Sequence, residues 1–191
     1  QDTLLVLTSD HGGVYPNIPV RDERAHRLNC FYDELYHIPL IFLGSNRKGK
    51  YSGLVSSIDI PATILSELGY SIPSVFKGVN IGQDEYRTYV TMENQGRGPS
   101  TDIKGRLTSI CVRTNEMKLI YEAKAVIQNS RGRIIELYDL VSDPDEQINL
   151  ASKVKKIKRA DFLVKIALNR LEQIRDDYQA SLLKNDIKTS Y

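Results

Sequence analysis

Residues 3–9, Thr-Leu-Leu-Val-Leu-Thr-Ser, form a near-continuous apolar run of strand length. A run without polar alternation suits a strand buried on both faces of a sheet, as in α/β layers. A second run, Ile-Pro-Leu-Ile-Phe-Leu-Gly at 38–44, predicts another buried strand. Between them, residues 13–30 mix glycine, proline, asparagine and charged side chains without a period, which predicts a loop. Residues 56–69 then shift to helical spacing. The helix is predicted to start near Asp59 with Pro61 in its first turn, to bury Ile60, Ile64, Leu65 and Leu68, and to stop at Gly69. Strand, loop, strand and helix in this order fit an α/β layer.

The texture changes after residue 84. The segments 86–93, 108–114, 117–123 and 133–140 are rich in valine, isoleucine, tyrosine and threonine and are separated by short turn clusters. Asn115-Glu116 reads as a tight hairpin between the second and third, so a small antiparallel sheet is predicted. From Asp161 a helical period takes over, with Val164, Leu168, Leu171, Ile174, Tyr178 and Leu182 on one face. The organisation expected is therefore an α/β part over 1–84 and a small sheet with a long closing helix over 85–191.

Bulk properties narrow the classes. The 191 residues suit one domain or one large and one small subdomain, and 41% hydrophobic with 26% charged residues is a globular composition. A net charge of +2 supplies no global basic field for nucleic acid or membrane. Cys30 and Cys111 are too few for a disulfide scaffold or zinc finger and read as buried thiols, leaving the compartment open. No apolar run reaches the length of a membrane span, and no signal peptide is visible. The chain opens on Gln1-Asp2, without methionine and directly before a core strand, and reads as a segment of something longer.

The chemistry concentrates at Asp10 and His11. On a regular strand the two would face opposite ways, but where a strand ends over Gly12-Gly13 both can converge. Strand carboxyl ends are where α/β sheets place ligands, and a carboxylate with a neutral imidazole makes half a shell for a divalent cation. The plainer alternative is an Asp-His pair satisfied within a turn.

Four stretches, taken in order, resemble the sulfatases of the alkaline phosphatase superfamily. "TLLVLTSDHGG" resembles their second metal-binding strand, and "FYDELYHIPLIFLG" their acidic helix followed by a Pro-Leu-Ile strand. "SSIDIPATILSELGYSIP" is similar to their Asp-Ile-x-Pro-Thr helix segment, and "ELYDLVSDPDEQINLA" to their Glu-Leu-Tyr-Asp-Leu-x-x-Asp-Pro-x-Glu-x-x-Asn-Leu signature. The resemblance covers residues 3–152. It implies part of an alkaline-phosphatase-like α/β sheet with helices, a small antiparallel subdomain and a long C-terminal helix. It also implies a metal-dependent hydrolase of sulfate esters, with Asp10 and His11 as two ligands of a divalent cation, usually calcium, with manganese, magnesium or zinc as other candidates. The nucleophile and two further acids are expected upstream, in an N-terminal half of the same protein. Neither cysteine sits in the Cys-x-Pro-x-Arg context of a formylglycine precursor. The cluster Asp139, Asp143, Asp145 and Glu146 is implied to be a turn with capping carboxylates rather than a metal site.

One departure bears on the substrate. Sulfatases commonly place a lysine ahead of the acidic helix, whereas "RDERAHRLNCFYDE" contains none. His26 and Arg27 are the nearest equivalents. Arg27 can bind an oxyanion bidentately, which leaves His26 as the candidate acid; a solvated loop is the plain alternative. Sulfate ester, phosphodiester and phosphonate ester are all served by relatives, so a phosphoryl or phosphoglycerol transferase and a phosphodiesterase stay open, as does a non-catalytic glycan-binding or scaffold relative. His37 reads as structural at a strand entrance, and Arg97, after Glu93 and Asn94, as a possible substrate contact. The run Lys-Val-Lys-Lys-Ile-Lys-Arg at 153–159 could attract an anionic polymer, although a solvated helical segment is the plainer reading. Cations at a helix start oppose its dipole, so the long helix should begin nearer Asp161.

Overall fold

The computed structural model describes residues 3–13, 31–83, 86–94, 108–123 and 132–188, with side chains through Ala180. Its contacts divide the chain into two units, Gln1–Tyr15 with Tyr32–Val90, and Pro16–Phe31 with Thr91–Tyr191.

In the first unit, β1 (Leu5–Thr8) pairs antiparallel with β2 (Leu40–Leu43), the register setting Leu5 opposite Leu43 and Leu7 opposite Ile41. The short α1 (Asp33–Tyr36) lies between them in sequence, and α2 (Asp59–Glu67) follows. The expectation of strands buried on both faces is not met. Leu5, Leu7, Ile41 and Leu43 are 57%, 54%, 45% and 52% exposed, and the register places them together on one face. The physical reason is the size of the sheet: two strands have only each other, and no described element covers that face.

Helix α2 starts at Asp59 and ends before Gly69, whose φ of +79° takes the left-handed conformation that closes a helix. Its buried positions differ from those expected. Leu68 is 55% exposed, while Asp59, Ala62 and Thr63 are buried. Polar fastening has replaced apolar packing on this face. The Asp59 carboxylate accepts from the amides of Ser56 and Val79, both at 2.9 Å, and from Arg87 Nε at 2.8 Å, and pairs with a second nitrogen of the same guanidinium. Burial pushes the Asp59 carboxyl up, but the Arg87 hydrogen bonds and the two amides outweigh it and hold it below its ordinary value. Thr63 Oγ1 takes up the Ile81 amide at 3.0 Å, and Asn80 Nδ2 donates to Ser66 Oγ at 2.7 Å, so the 78–83 loop is tied back to the helix.

The second unit is a four-stranded sheet of order β3 (Val90–Asn94), β4 (Thr108–Arg113), β5 (Met117–Ala123) and β6 (Arg133–Asp139). The pairs β4–β5 and β5–β6 are antiparallel, and Thr114 donates to Met117 to close the expected hairpin. A 3-10 helix (Ala151–Lys156) then leads into α3 (Ala160–Lys188), which starts one residue before the expected Asp161. Helix α3 packs on the sheet through Leu163, Ala167, Leu171 and Ile174, with Ile110, Val112, Met117, Leu119, Tyr121 and Leu137 beneath it. The buried stripe therefore runs through Leu163 and Ala167, one position before the expected Val164 and Leu168. Each buried leucine there contributes about 2 kcal/mol. The opposite sheet face holds Phe31, Cys111 and Ile120, with Met92 and Ile135 against them. A bulge between Ile120 and Tyr121 leaves Ile135 without a paired residue on β5, so Ile134 and Leu137, three positions apart, both serve the face under α3.

Strand β5 is buried along its whole length, including Lys118, which is 0% exposed. Its ammonium pairs with the equally buried Glu146 carboxylate and donates to the Phe31 carbonyl at 2.8 Å. Glu146 itself takes a positive φ of 55° to reach inward, an unusual conformation for a residue with a side chain. The rest of the 139–150 segment is fastened in the same manner. Asp143 accepts from the amides of Gln147 and Ile148, and Asn149 bridges the Leu137 amide and the Ile135 carbonyl along the free edge of β6.

Two stability outcomes follow. Lys118→Met should cost about 3–5 kcal/mol in chemical denaturation, because Glu146 keeps a buried charge without a counter-ion, and Lys118→Met with Glu146→Leu should recover most of it. A single-variant loss below about 1 kcal/mol would show the pair to be unimportant. Asp59 has a lowered folded pKa, so its contribution is full above about pH 4 and is lost as pH falls through the folded value. The difference in melting temperature between wild type and Asp59→Asn should therefore be large near neutrality and shrink below about pH 4; a constant difference would contradict the assignment.

Candidate metal centre

Strand β1 ends at Thr8, and the chain turns at once through Ser9, Asp10, His11 and Gly12. The turn is built by its own side chains. Ser9 Oγ donates to the His11 carbonyl at 2.6 Å, and the His11 amide donates to Asp10 Oδ1 at 2.9 Å. These bonds curl the backbone so that neighbours which would diverge on a strand converge. Asp10 Oδ2 lies 3.6 Å from His11 Nε2. Both side chains are open to solvent, Asp10 86% and His11 71%.

The protonation pattern suits metal donation. His11 Nδ1 sits 2.7 Å from the Gly12 carbonyl, which can only accept, so a bond there requires the proton on Nδ1 and leaves the Nε2 lone pair facing outward beside Asp10. The hydrogen bond from the His11 amide holds the Asp10 carboxyl below its ordinary value. An ionised carboxylate and an imidazole lone pair 3.6 Å apart can both touch one divalent cation, whose ligands lie about 2.0–2.6 Å away. The donor set therefore fits a cation, as half of a shell. Among the described residues no group of three or more His, Cys, Asp or Glu gathers into a complete one.

Gly12 explains how the turn is seated. Its amide donates to the Leu35 carbonyl at 2.8 Å, docking the turn on α1. A Cβ at Gly12 would lie 1.9 Å from the Glu34 carbonyl oxygen, so no other residue fits without moving the backbone. Gly13 has no such neighbour, so the two glycines of the motif are not equivalent.

The other sequence-derived candidates separate clearly. His26 and Arg27 lie outside the described residues, as do Cys30 and Arg97. Cys111 is buried. His37 closes α1 through its amide, which donates to the Asp33 carbonyl at 2.7 Å. Glu93 is held by Arg170 from α3. In the acidic cluster, Asp143 caps a turn, Glu146 faces Lys118, and Asp139 pairs with Arg159 at 3.1 Å, so those carboxylates are structural. The Lys118–Glu146 pair and the Gly12 contact escaped sequence reasoning. A lysine inside an otherwise apolar strand was the available signal for the first; nothing local signalled the second.

Comparison with known proteins finds sulfatases. Residues 1–70 match the family model Sulfatase. Arylsulfatase K of Canis lupus familiaris is 25% identical over 172 residues, covering 82% of this chain and 29% of the relative. The delta 4,5-hexuronate-2-O-sulfatase of Bacteroides thetaiotaomicron is 24% identical over 196 residues, covering 94% of this chain and 37% of the relative. A protein solved in complex with its substrate D-glucosamine-2-N,6-O-disulfate superposes with a TM-score of 0.60 at 22% identity, over 91% of this chain and 35% of that one. The chain thus spans roughly a third of the length of the relatives it matches. The segment matched by the family model, residues 1–70, contains the Asp10–His11 turn, and the chain is similar to sulfatases there and in its α/β fold.

Proposed function

We propose that this chain is part of a sulfate-ester hydrolase to which Asp10 and His11 contribute one half of a divalent metal site. The observation that carries the reading is the convergence of Asp10 Oδ2 and His11 Nε2 to 3.6 Å at the end of β1, inside the segment that matches the sulfatase family. Relatives named for sulfate-ester chemistry favour sulfate over phosphate. Calcium suits the carboxylate best, with manganese, magnesium and zinc as other candidates for a mixed oxygen and nitrogen set. When bound, the cation would supply positive charge for ester oxygens in the transition state.

This chain's own residues would hold and orient. Asp10 contributes an anionic oxygen, the His11 amide fixes that carboxylate, and the Gly12 carbonyl fixes the imidazole. Arg27 would grip the substrate anion and His26 would donate a proton to the leaving oxygen. The remaining metal ligands and the nucleophile would come from an N-terminal half of the same protein. The apolar face formed by Leu5, Leu7, Ile41 and Leu43 would be covered by elements of that half packed upon it.

Two measurements on the full-length protein test this reading. Asp10→Asn should lower kcat/KM on an aryl sulfate by at least about 100-fold and weaken calcium binding in calorimetry; undiminished turnover would sink the metal role. Gly12→Ala should lower metal affinity about 10–100-fold, since the turn must shift off Glu34, while Gly13→Ala should change it little. Equal effects of the two substitutions would contradict the seating described.

A further inference from the structure

The second unit presents a strongly charged patch that the metal site does not use. Val154, inside the 3-10 helix Ala151–Lys156, and Ile157, which closes it, share one face. That face packs, with Leu150 and Ala151, against the core under α3. The Leu150 amide also donates to the Leu137 carbonyl at 2.7 Å, which fixes the helix on β6. Lys153, Lys155, Lys156 and Lys158 consequently stand on the outward faces, and all four are exposed. Lys153 to Lys156 span about 6 Å along the helix at roughly 2 Å per residue, within one Debye length at physiological salt, so a ligand feels them together.

Their charge is not spent internally. Arg159, next in the run, is held by Glu116 at 3.0 Å and Asp139 at 3.1 Å. Those acids are thereby occupied, and none of the four lysines forms an ion pair with a described acid. The negative end of a helix dipole favours a cation or two in the last turn, but it does not call for four side by side.

We propose that this lysine platform is a docking surface for an anionic polysaccharide, a sulfated chain being its occupant. Three classes of polyanionic partner separate on the side chains present. Residues 151–159 carry no aromatic residue for base stacking, and the single arginine is engaged, which disfavours nucleic acid. Val154 and Ile157 turn inward, so no apolar side chain remains to enter a lipid surface. Lysine ammonium groups are point charges without strict geometry, which suits irregularly spaced sulfate groups on a flexible chain. The choice of a sulfated occupant rests on the sulfate-ester reading above.

The test uses full-length protein, heparin as the sulfated probe, neutral dextran and duplex DNA. Wild type should bind heparin with a steep salt dependence and ignore dextran. Replacing Lys153, Lys155, Lys156 and Lys158 together by Gln should weaken heparin binding about tenfold or more at low salt and flatten the log–log salt slope by about 2–4. Lys48→Gln with Lys50→Gln, exposed lysines of the first unit, should leave binding unchanged. Unchanged heparin binding by the fourfold variant overturns the proposal, as does displacement of heparin by DNA at equal charge. Turnover of a small aryl sulfate should be the same in wild type and the fourfold variant. A wild type that binds heparin through these lysines yet cleaves no sulfate ester refutes the hydrolase reading alone. One that cleaves aryl sulfate while the fourfold variant binds heparin normally refutes the docking surface alone.

Discussion

An ammonium group sealed from water must be neutralised inside the protein, and the second unit is organised around that requirement at Lys118. The cost of burying a charge is several kcal/mol, recovered only when an anion and further acceptors are placed around it. Glu146 supplies the anion and the Phe31 carbonyl an acceptor, one from the segment after β6 and one from far earlier in the chain. Three distant pieces of sequence are thereby obliged to meet at one point on β5. The acidic signature from 136 to 150 then reads as a set of separate fastenings. Asp143 closes its turn, Glu146 answers the lysine, and Asn149 finishes the edge of β6.

The first unit solves a similar problem with different groups. Asp59 is buried at the start of α2, where the amides of Ser56 and Val79 and the Arg87 guanidinium compensate its charge. The helix is consequently fixed by polar contacts on the side where an apolar stripe would be expected, and Leu68 is left in solvent. In both units a charge that looks like a surface residue in the sequence is a structural centre. Charged residues within otherwise apolar segments are therefore the positions at which sequence reasoning about burial is least secure.

What was legible follows from the range of each interaction. The strands and hairpin of the second unit, the start of α3 and the limits of α2 depend on local spacing, turn residues and capping, and they appear close to where local patterns place them. The exposure of Leu5 and Leu7 was not legible, because an apolar run states what a strand prefers and not how many neighbours it has. The shift of the α3 stripe to Leu163 and Ala167 comes from docking on the sheet, which a helical period alone cannot set. At the site, Asp10 and His11 were legible as a pair, and the resemblance implied the chemistry proposed for them. The requirement for glycine at position 12 arises from Glu34, more than twenty residues away, and becomes visible only in three dimensions.

The two-stranded ladder of β1 and β2 has one further consequence. Among the described residues each strand pairs with the other alone, so each keeps one edge of amide and carbonyl groups that no described strand occupies. Such an edge is a template that accepts whichever extended backbone arrives first. Correct pairing with its own polypeptide is therefore in competition with pairing to neighbouring molecules during synthesis. For this part of the fold, the order and speed of strand addition weigh as heavily on the yield of native protein as the final stability does.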